Sequence, residues 1–435
     1  MNVPRLQPIA LAVATLFAGP VLAVDPATVK WDGVPAKTLT LFYPGQSTYQ
    51  FLRSPAHPGA QVVNTGGACL TCHTGAEQKL GDKLVKANKL EPAPVEGKNG
   101  TIPLTVQVAY DNENAYFRFQ WKTRNPYPGE AYPFLRFDGK AWKPYGNQRL
   151  NGAVRKGDMP AVYEDRLSIM LDDGGVPAFA NQGCWQTCHN GMRDAPGQPK
   201  TDAVKANPLL KALKKNDVRK YLPSTRTDAL ASWDKGKSLD EIKKLKAAGG
   251  FLELMQWRAH RSNPVGMADD GFVLEYRNFD AGKNMFTSNM DPKKKQPKYM
   301  YDAKKTGKKA FAIDDIRKSS TVMLPGQNAV PFDPKAGWKA GDLVSQYVVD
   351  RKLAQGSAAD NKQAKGVWKD GTWTVVWARA RNLKNPDDKM LKDGQVYNFA
   401  FAVHDDNMTS RGHHVSFPVT VGFGAKAAIE AARLK

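Results

Sequence analysis

The chain has 435 residues, 41% of them hydrophobic and 24% charged, with a formal net charge of +21. That balance excludes a disordered chain and fits an ordinary globular one. Such a basic protein calls for an acidic partner, an anionic membrane surface or nucleic acid.

Arg5, the apolar run 9–18, the break at Gly19-Pro20 and the small-residue pattern Val21-Leu22-Ala23 predict a secretory signal peptide over 1–23. The apolar run is too short to cross a bilayer, and no later stretch reaches 18 consecutive apolar residues. A periplasmic protein with no transmembrane segment in its mature chain is therefore expected. Export argues against nucleic acid and leaves redox partner proteins with acidic docking surfaces as the expected partners. The lysines come in short scattered runs, such as Lys293-Lys294-Lys295, which read equally well as solvated faces.

Residues 24–98 read as a small, proline-rich, mostly irregular segment. It carries Cys69-Leu70-Thr71-Cys72-His73, the C-x-x-C-H signature of a c-type haem. Two thiols bond the two vinyl groups of one porphyrin, so they sit about one helical turn apart, and the next histidine reaches the iron. His73 is the proximal ligand on this reading. His57, in Ser54-Pro55-Ala56-His57-Pro58-Gly59, stands on a stiff loop suited to presenting a second imidazole. An exposed loop histidine is the plainer alternative. Residues 91–98 read as a linker.

Residues 99–435 read as a β-domain. The runs 102–110 and 115–122 alternate around Asp111-Asn112-Glu113-Asn114, a hairpin signal. Further strands are expected over 166–171, 272–279, 372–380, 396–403 and 414–422. The fold class is accordingly mainly β with α insertions: an antiparallel β-sandwich haem-binding domain preceded by the irregular c-haem segment. An α-rich insertion at about 172–262 carries the second motif, with helices over 203–221 and 239–248 and a helix or helix-turn over 251–261.

That second motif is Cys184-Trp185-Gln186-Thr187-Cys188-His189, a C-x-x-x-C-H variant with one extra residue. It predicts a second c-type haem with His189 as proximal ligand, attached through both cysteines or through one. All four cysteines are thereby used. Units more than a hundred residues apart fit zinc-finger spacing poorly, and a disulfide reading would ignore both adjacent histidines.

Distal ligands must come from the other histidines or from methionine. His260, flanked by Trp257, Arg258 and Arg261, is the leading candidate at the second haem, with both arginines placed to pair with propionates. His413 and His414 are adjacent on an expected strand and face opposite ways, so at most one serves a given haem. His404 reads as a structural histidine beside a carboxylate; Met170 and Met192 are further thioether candidates.

The strings Leu254-Met255-Gln256-Trp257-Arg258-Ala259-His260-Arg261-Ser262-Asn263-Pro264, Phe401-Ala402-Val403-His404-Asp405 and Val415-Ser416-Phe417-Pro418 resemble the cytochrome c-552 / DMSO reductase-like haem-binding domain family, also called ethylbenzene dehydrogenase-related. The resemblance covers most of the mature chain. It implies a β-sandwich that holds a haem and works in electron transfer, similar to the haem b subunits of certain periplasmic molybdenum enzymes. Those subunits lack a cysteine motif, and this chain has two. The expectation is a periplasmic dihaem c-type cytochrome that relays electrons between respiratory redox partners. The alternatives are a haem-bearing subunit of a molybdenum oxidoreductase and a peroxidase-like haem enzyme with an open sixth site.

Overall fold

The computed structural model describes residues 25–91, 94–95, 97–123, 134–146, 154, 156, 163–187, 190–193, 195, 197–316, 322–405 and 412–434. The expected signal peptide, Cys188 and His189 lie outside these described residues.

Thirteen strands form one sheet. In chain order they are β1 (Ala36–Phe42), β2 (Thr101–Tyr110), β3 (Asn114–Lys122), β4 (Arg166–Asp172), β5 (Leu252–Arg258), β6 (Gly271–Val273) and β7 (Arg277–Phe279). The rest are β8 (Gln363–Lys369), β9 (Thr372–Ala380), β10 (Gln395–His404), β11 (His413–Val415), β12 (Val419–Phe423) and β13 (Ile429–Arg433). Their spatial order is β8-β9-β3-β2-β1-β11-β10-β4-β5-β6-β7, with β12 pairing β10 and β13, and β13 pairing β2. The strands β1, β2, β13, β12, β10 and β11 thus close into a six-stranded ring. All pairings are antiparallel except the two made by β13.

The hairpin of β2 and β3 forms as expected. Asp111 nucleates its turn by accepting from the backbone N–H of Glu113 (2.8 Å) and Asn114 (2.7 Å). The sheet curls until opposite regions of it pack together. Phe117 and Phe119 of β3 meet Phe399 and Phe401 of β10 at ring separations of 6.2 and 5.9 Å. Trp257 of β5 packs edge-on against Trp121 and Trp373. This aromatic layer is the main core.

Three expectations about elements need correction. Residues 251–261 are not helical, because 252–258 is the sheet strand β5. Every residue of β5 is buried, so neither face shows the polar alternation that marks a half-exposed strand. The stretch 272–279 is a tight hairpin, β6 and β7, rather than one strand. The helical region after 201 breaks into Thr201–Ala206 and Pro208–Ala212, with Asn207 capping the second by accepting from Leu210 N–H at 3.0 Å. The helix Leu239–Ala247 forms as expected. In addition β1, from the region read as irregular, is part of the ring, paired to β2 along its whole length.

Four short helices precede the ring's second strand: α1 (Tyr49–Arg53), α2 (Ala60–Asn64), α3 (Leu70–His73) and α4 (Glu77–Val85). A fifth, α5 (Phe179–Gln182), follows β4 and leads into a 3-10 turn, Gly183–Gln186. Among the described residues no helix is long and apolar enough to cross a membrane.

Candidate haem sites

The first motif folds as its chemistry requires. Cys69 caps α3, a single turn that carries Cys72 and His73, so both thiols and the imidazole project from one turn. Cys72 is exposed and Cys69 half-buried. Cys69 packs on an apolar cluster of Phe42, Trp185, Val415 and Phe417. Burial, and next the nearby Cys184, push its thiol up to about 11.

Two rings neighbour His73. Phe417 is stacked 6.2 Å away and 6° from parallel. His57 is 6.2 Å away and 27° from parallel. A metal–imidazole bond is about 2 Å, so two imidazoles ligating one ion in line have centroids roughly 6 Å apart. The observed pair matches that separation. The Nδ1–H of His57 donates to the Leu52 carbonyl at 2.9 Å, which leaves Nε2 as its electron-pair donor. Gly59 makes room for this ring, since a Cβ there would stand 3.1 Å from His57 Cε1. Burial, then His57, lowers the pKa of His73, the direction that favours a neutral imidazole. The residues present fit a six-coordinate c-type haem.

Cys184 sits in the 3-10 turn after α5. Gly183 supplies that turn's positive φ of 55°, and a Cβ there would press on Pro418 at 3.0 Å. Cys184 opens onto a cavity of about 630 Å3, within the range of cofactor sites. Sheet parity builds its floor. The residues Ala400, Ala402 and His404 of β10 alternate with the core-facing Phe399, Phe401 and Val403. Ser168 and Met170 of β4, Leu254 and Gln256 of β5, and Val415 of β11 complete that face. The small side chains at 168, 400 and 402 leave space over the sheet centre. Burial raises the pKa of the Cys184 thiol as well.

One row of polar residues crosses four strands along the cavity's edge. His413 pairs with His404, His404 with Arg166, and Arg166 with Arg258. The rings of His404 and His413 stack at 5.1 Å. His414 points the other way, its Nε2 2.8 Å from the Asn99 carbonyl, as strand parity requires.

Among the described residues, six arginines and two lysines line the cavity and no carboxylate does. Arg258 is held by Asp269 through two bonds of 2.6 Å. Arg261 pairs with Glu164. Both line the cavity, each already tied to a buried acid. Arg166 differs: its buried Nε has no hydrogen-bond partner among the described residues. Burial, then Arg258 and Arg261, press its pKa well below the usual guanidinium range, which an anionic guest would relieve. Sequence reasoning missed Arg166, although the spacing Arg166-x-Ser168-x-Met170 marks one strand face.

His260 is fully buried and is not among the residues lining this cavity. Its backbone N–H and that of Arg261 both donate to Glu164 at 2.9 Å. The described histidines that the fold does bring to the cavity are His404 and His413, with Met170 and Met192 beside them.

The two motifs adjoin. The Cys69 N–H donates to the Asn181 carbonyl of α5 at 3.1 Å. Gln182 donates to the carbonyls of Val63 (3.0 Å) and Gly67 (3.3 Å) and accepts from Arg53 at 2.7 Å. Cys69 and Cys184 pack against the same apolar cluster, where Phe42, Trp185 and Phe417 stack within 5.6 Å of one another.

Residues 30–416 match the family model described as ethylbenzene dehydrogenase. The chain is 26% identical over 413 residues to cytochrome c-552 of Stutzerimonas stutzeri, which covers 94% of this chain and 93% of that protein. It is 29% identical over 171 residues to cytochrome c-551 of Rhodocyclus tenuis, which covers 38% of this chain and 58% of that one.

Proposed function

The chain belongs to the ethylbenzene dehydrogenase family, and from that membership we propose that it is a periplasmic dihaem c-type cytochrome that relays electrons between redox partners. The observation that carries this reading is the adjacency of Cys69 and Cys184, 115 positions apart in sequence, around one aromatic cluster. Its likeness to proteins named cytochrome c-552 and c-551 supports the same reading.

A bound haem supplies a one-electron iron couple whose potential is set by ligands, burial and nearby charge. Cys69 and Cys72 tether the first, with His73 and His57 as its axial pair. Cys184 and Cys188 tether the second, with His189 as its proximal ligand. His404 or His413 is the distal ligand we assign there, because both line the cavity and His260 does not. Arg166 and Arg258 receive the propionates, with Arg261 beside them. Phe42, Trp185 and Phe417 keep water out of the space between the two tethers. The exposed Cys72 side is where a partner reaches the first site.

One observation favours a second reading, catalysis on a small anion at an open second iron. Eight basic side chains line the cavity, and even with Arg193, Arg219, Arg258 and Arg261 paired to carboxylates the other four exceed what two propionates need. Carbon monoxide added to the dithionite-reduced protein at neutral pH separates the two. An unchanged Soret band is expected for the relay, and a large shift would replace it with the enzyme.

A further inference from the structure

Glu253 lies on β5 and, by strand parity, on the face opposite to the cavity-lining Leu254 and Gln256. Asp270 immediately precedes β6, Asp280 immediately follows β7, and Asp388 lies in the connection between β9 and β10. The fold brings these residues together from three separate stretches of chain. One carboxylate oxygen from each of Glu253, Asp270 and Asp388 lies within 4.8 Å of the others.

The cluster is short of positive charge. Glu253 accepts from the Arg379 guanidinium at 2.8 and 2.7 Å. Lys389 turns its ammonium away, to Asp173 and the Gly249 carbonyl, both at 2.6 Å. Asp270 is held by Asn361 and by the Gly271 N–H. Asp388 accepts from Asn385 at 2.8 Å through one oxygen, while its Oδ1 has no partner among the described residues.

Asp280 supplies the independent observation. It is 4% exposed, and neither of its carboxylate oxygens has a hydrogen-bond partner among the described residues. Its strongest charged neighbours are Asp387, Asp388 and Glu253, so it lies beside the cluster. A buried carboxylate with no donor is costly unless it is paired, protonated or bound to a metal.

We propose that Glu253, Asp270 and Asp388 form a binding site for one calcium ion, with the buried Asp280 carboxylate completing its acidic wall. An all-oxygen donor set selects a hard cation. Calcium–oxygen bonds of about 2.3–2.6 Å allow ligand oxygens up to roughly 5 Å apart, which accommodates the observed 4.8 Å. The asparagines at 361 and 385 orient two of the ligands. The ion fastens the connection between β9 and β10 to the strands whose other face forms the cavity wall. The site is independent of the haem assignments.

The test uses the purified holoprotein, stripped with EDTA and then dialysed. Equilibrium dialysis with radioactive calcium is expected to give one ion per chain, and calcium is expected to raise the thermal midpoint by several degrees where equimolar magnesium does not. D280N and D388N are each expected to lose the calcium response. In EDTA, D280N should be at least as stable as the parent, because an amide needs no counter-charge when buried. If one variant does not fold, the other carries the test. No retained calcium with equal midpoints in calcium and EDTA would overturn the site. So would an equal response to magnesium, or a full calcium response in D280N and D388N.

Discussion

His57 and His73 lie at a ring separation that suits two in-line ligands, and the proposed role of His57 as a ligand is open to a direct test. H57G is expected to expose one iron to added ligand. Carbon monoxide should then shift the Soret band of about half the haem, which the parent would not show, while haem attachment stays intact. An unshifted spectrum in H57G would remove His57 from the ligand set. A second histidine, His260, acts through its own proton. It is fully buried, and burial lowers its pKa to about 4 despite the opposing pull of Glu164. The unfolded chain takes that proton first as pH falls, since its histidine titrates near 6.5. Stability from neutral His260 is therefore complete above about pH 6.5 and declines as pH drops from there toward 4. By pH 5 the loss is about 2 kcal/mol. Urea midpoints at pH 7 and pH 5 should converge in H260Q relative to the parent. An identical pH dependence in both proteins would show that His260 does not titrate this way.

At the level of elements, α5 joins the two tethers. Gln182 is 1% exposed and bonds Arg53 and the carbonyls of Val63 and Gly67. Q182L leaves those buried groups without partners, a loss of about 1–3 kcal/mol. Limited proteolysis is expected to cut within 50–75 faster in this variant, and an unchanged cleavage rate would deny α5 its docking role. The same region shows what a sequence can and cannot reveal. Cys69, Cys72 and His73 were legible because covalent chemistry fixes their spacing. The β2–β3 hairpin was legible because one face of each strand alternates around a turn with an evident cap. Strand β9 matched its expected bounds for the same reason. By contrast, β5 has both faces buried and loses its alternation. The approach of Cys69 to Cys184 was not legible, because it depends on a backbone bond to Asn181 that no local pattern encodes. Arg166, His404 and His413 became a set only once register aligned β4, β10 and β11. His260, by contrast, had a suggestive sequence neighbourhood, yet its ring does not reach the cavity.

On the scale of the whole molecule, the ring is closed by strands distant in sequence, with β13 lying between β2 and β12. Such closure leaves the ring itself without an open edge and gives both cysteine motifs a common base. The formal charge of +21 surrounds this base. Reduction by an acidic redox protein should slow as ionic strength rises from about 0.01 to 0.15 M, where the screening length falls from about 30 to 8 Å. A salt-independent rate would mean that charge does not steer docking. The central claim is that two adjoining tethers each hold a haem covalently. Intact mass of the denatured protein, read with its pyridine haemochrome spectrum, tests this most directly. Two haems retained per chain is the predicted result, and one or none retained would contradict it.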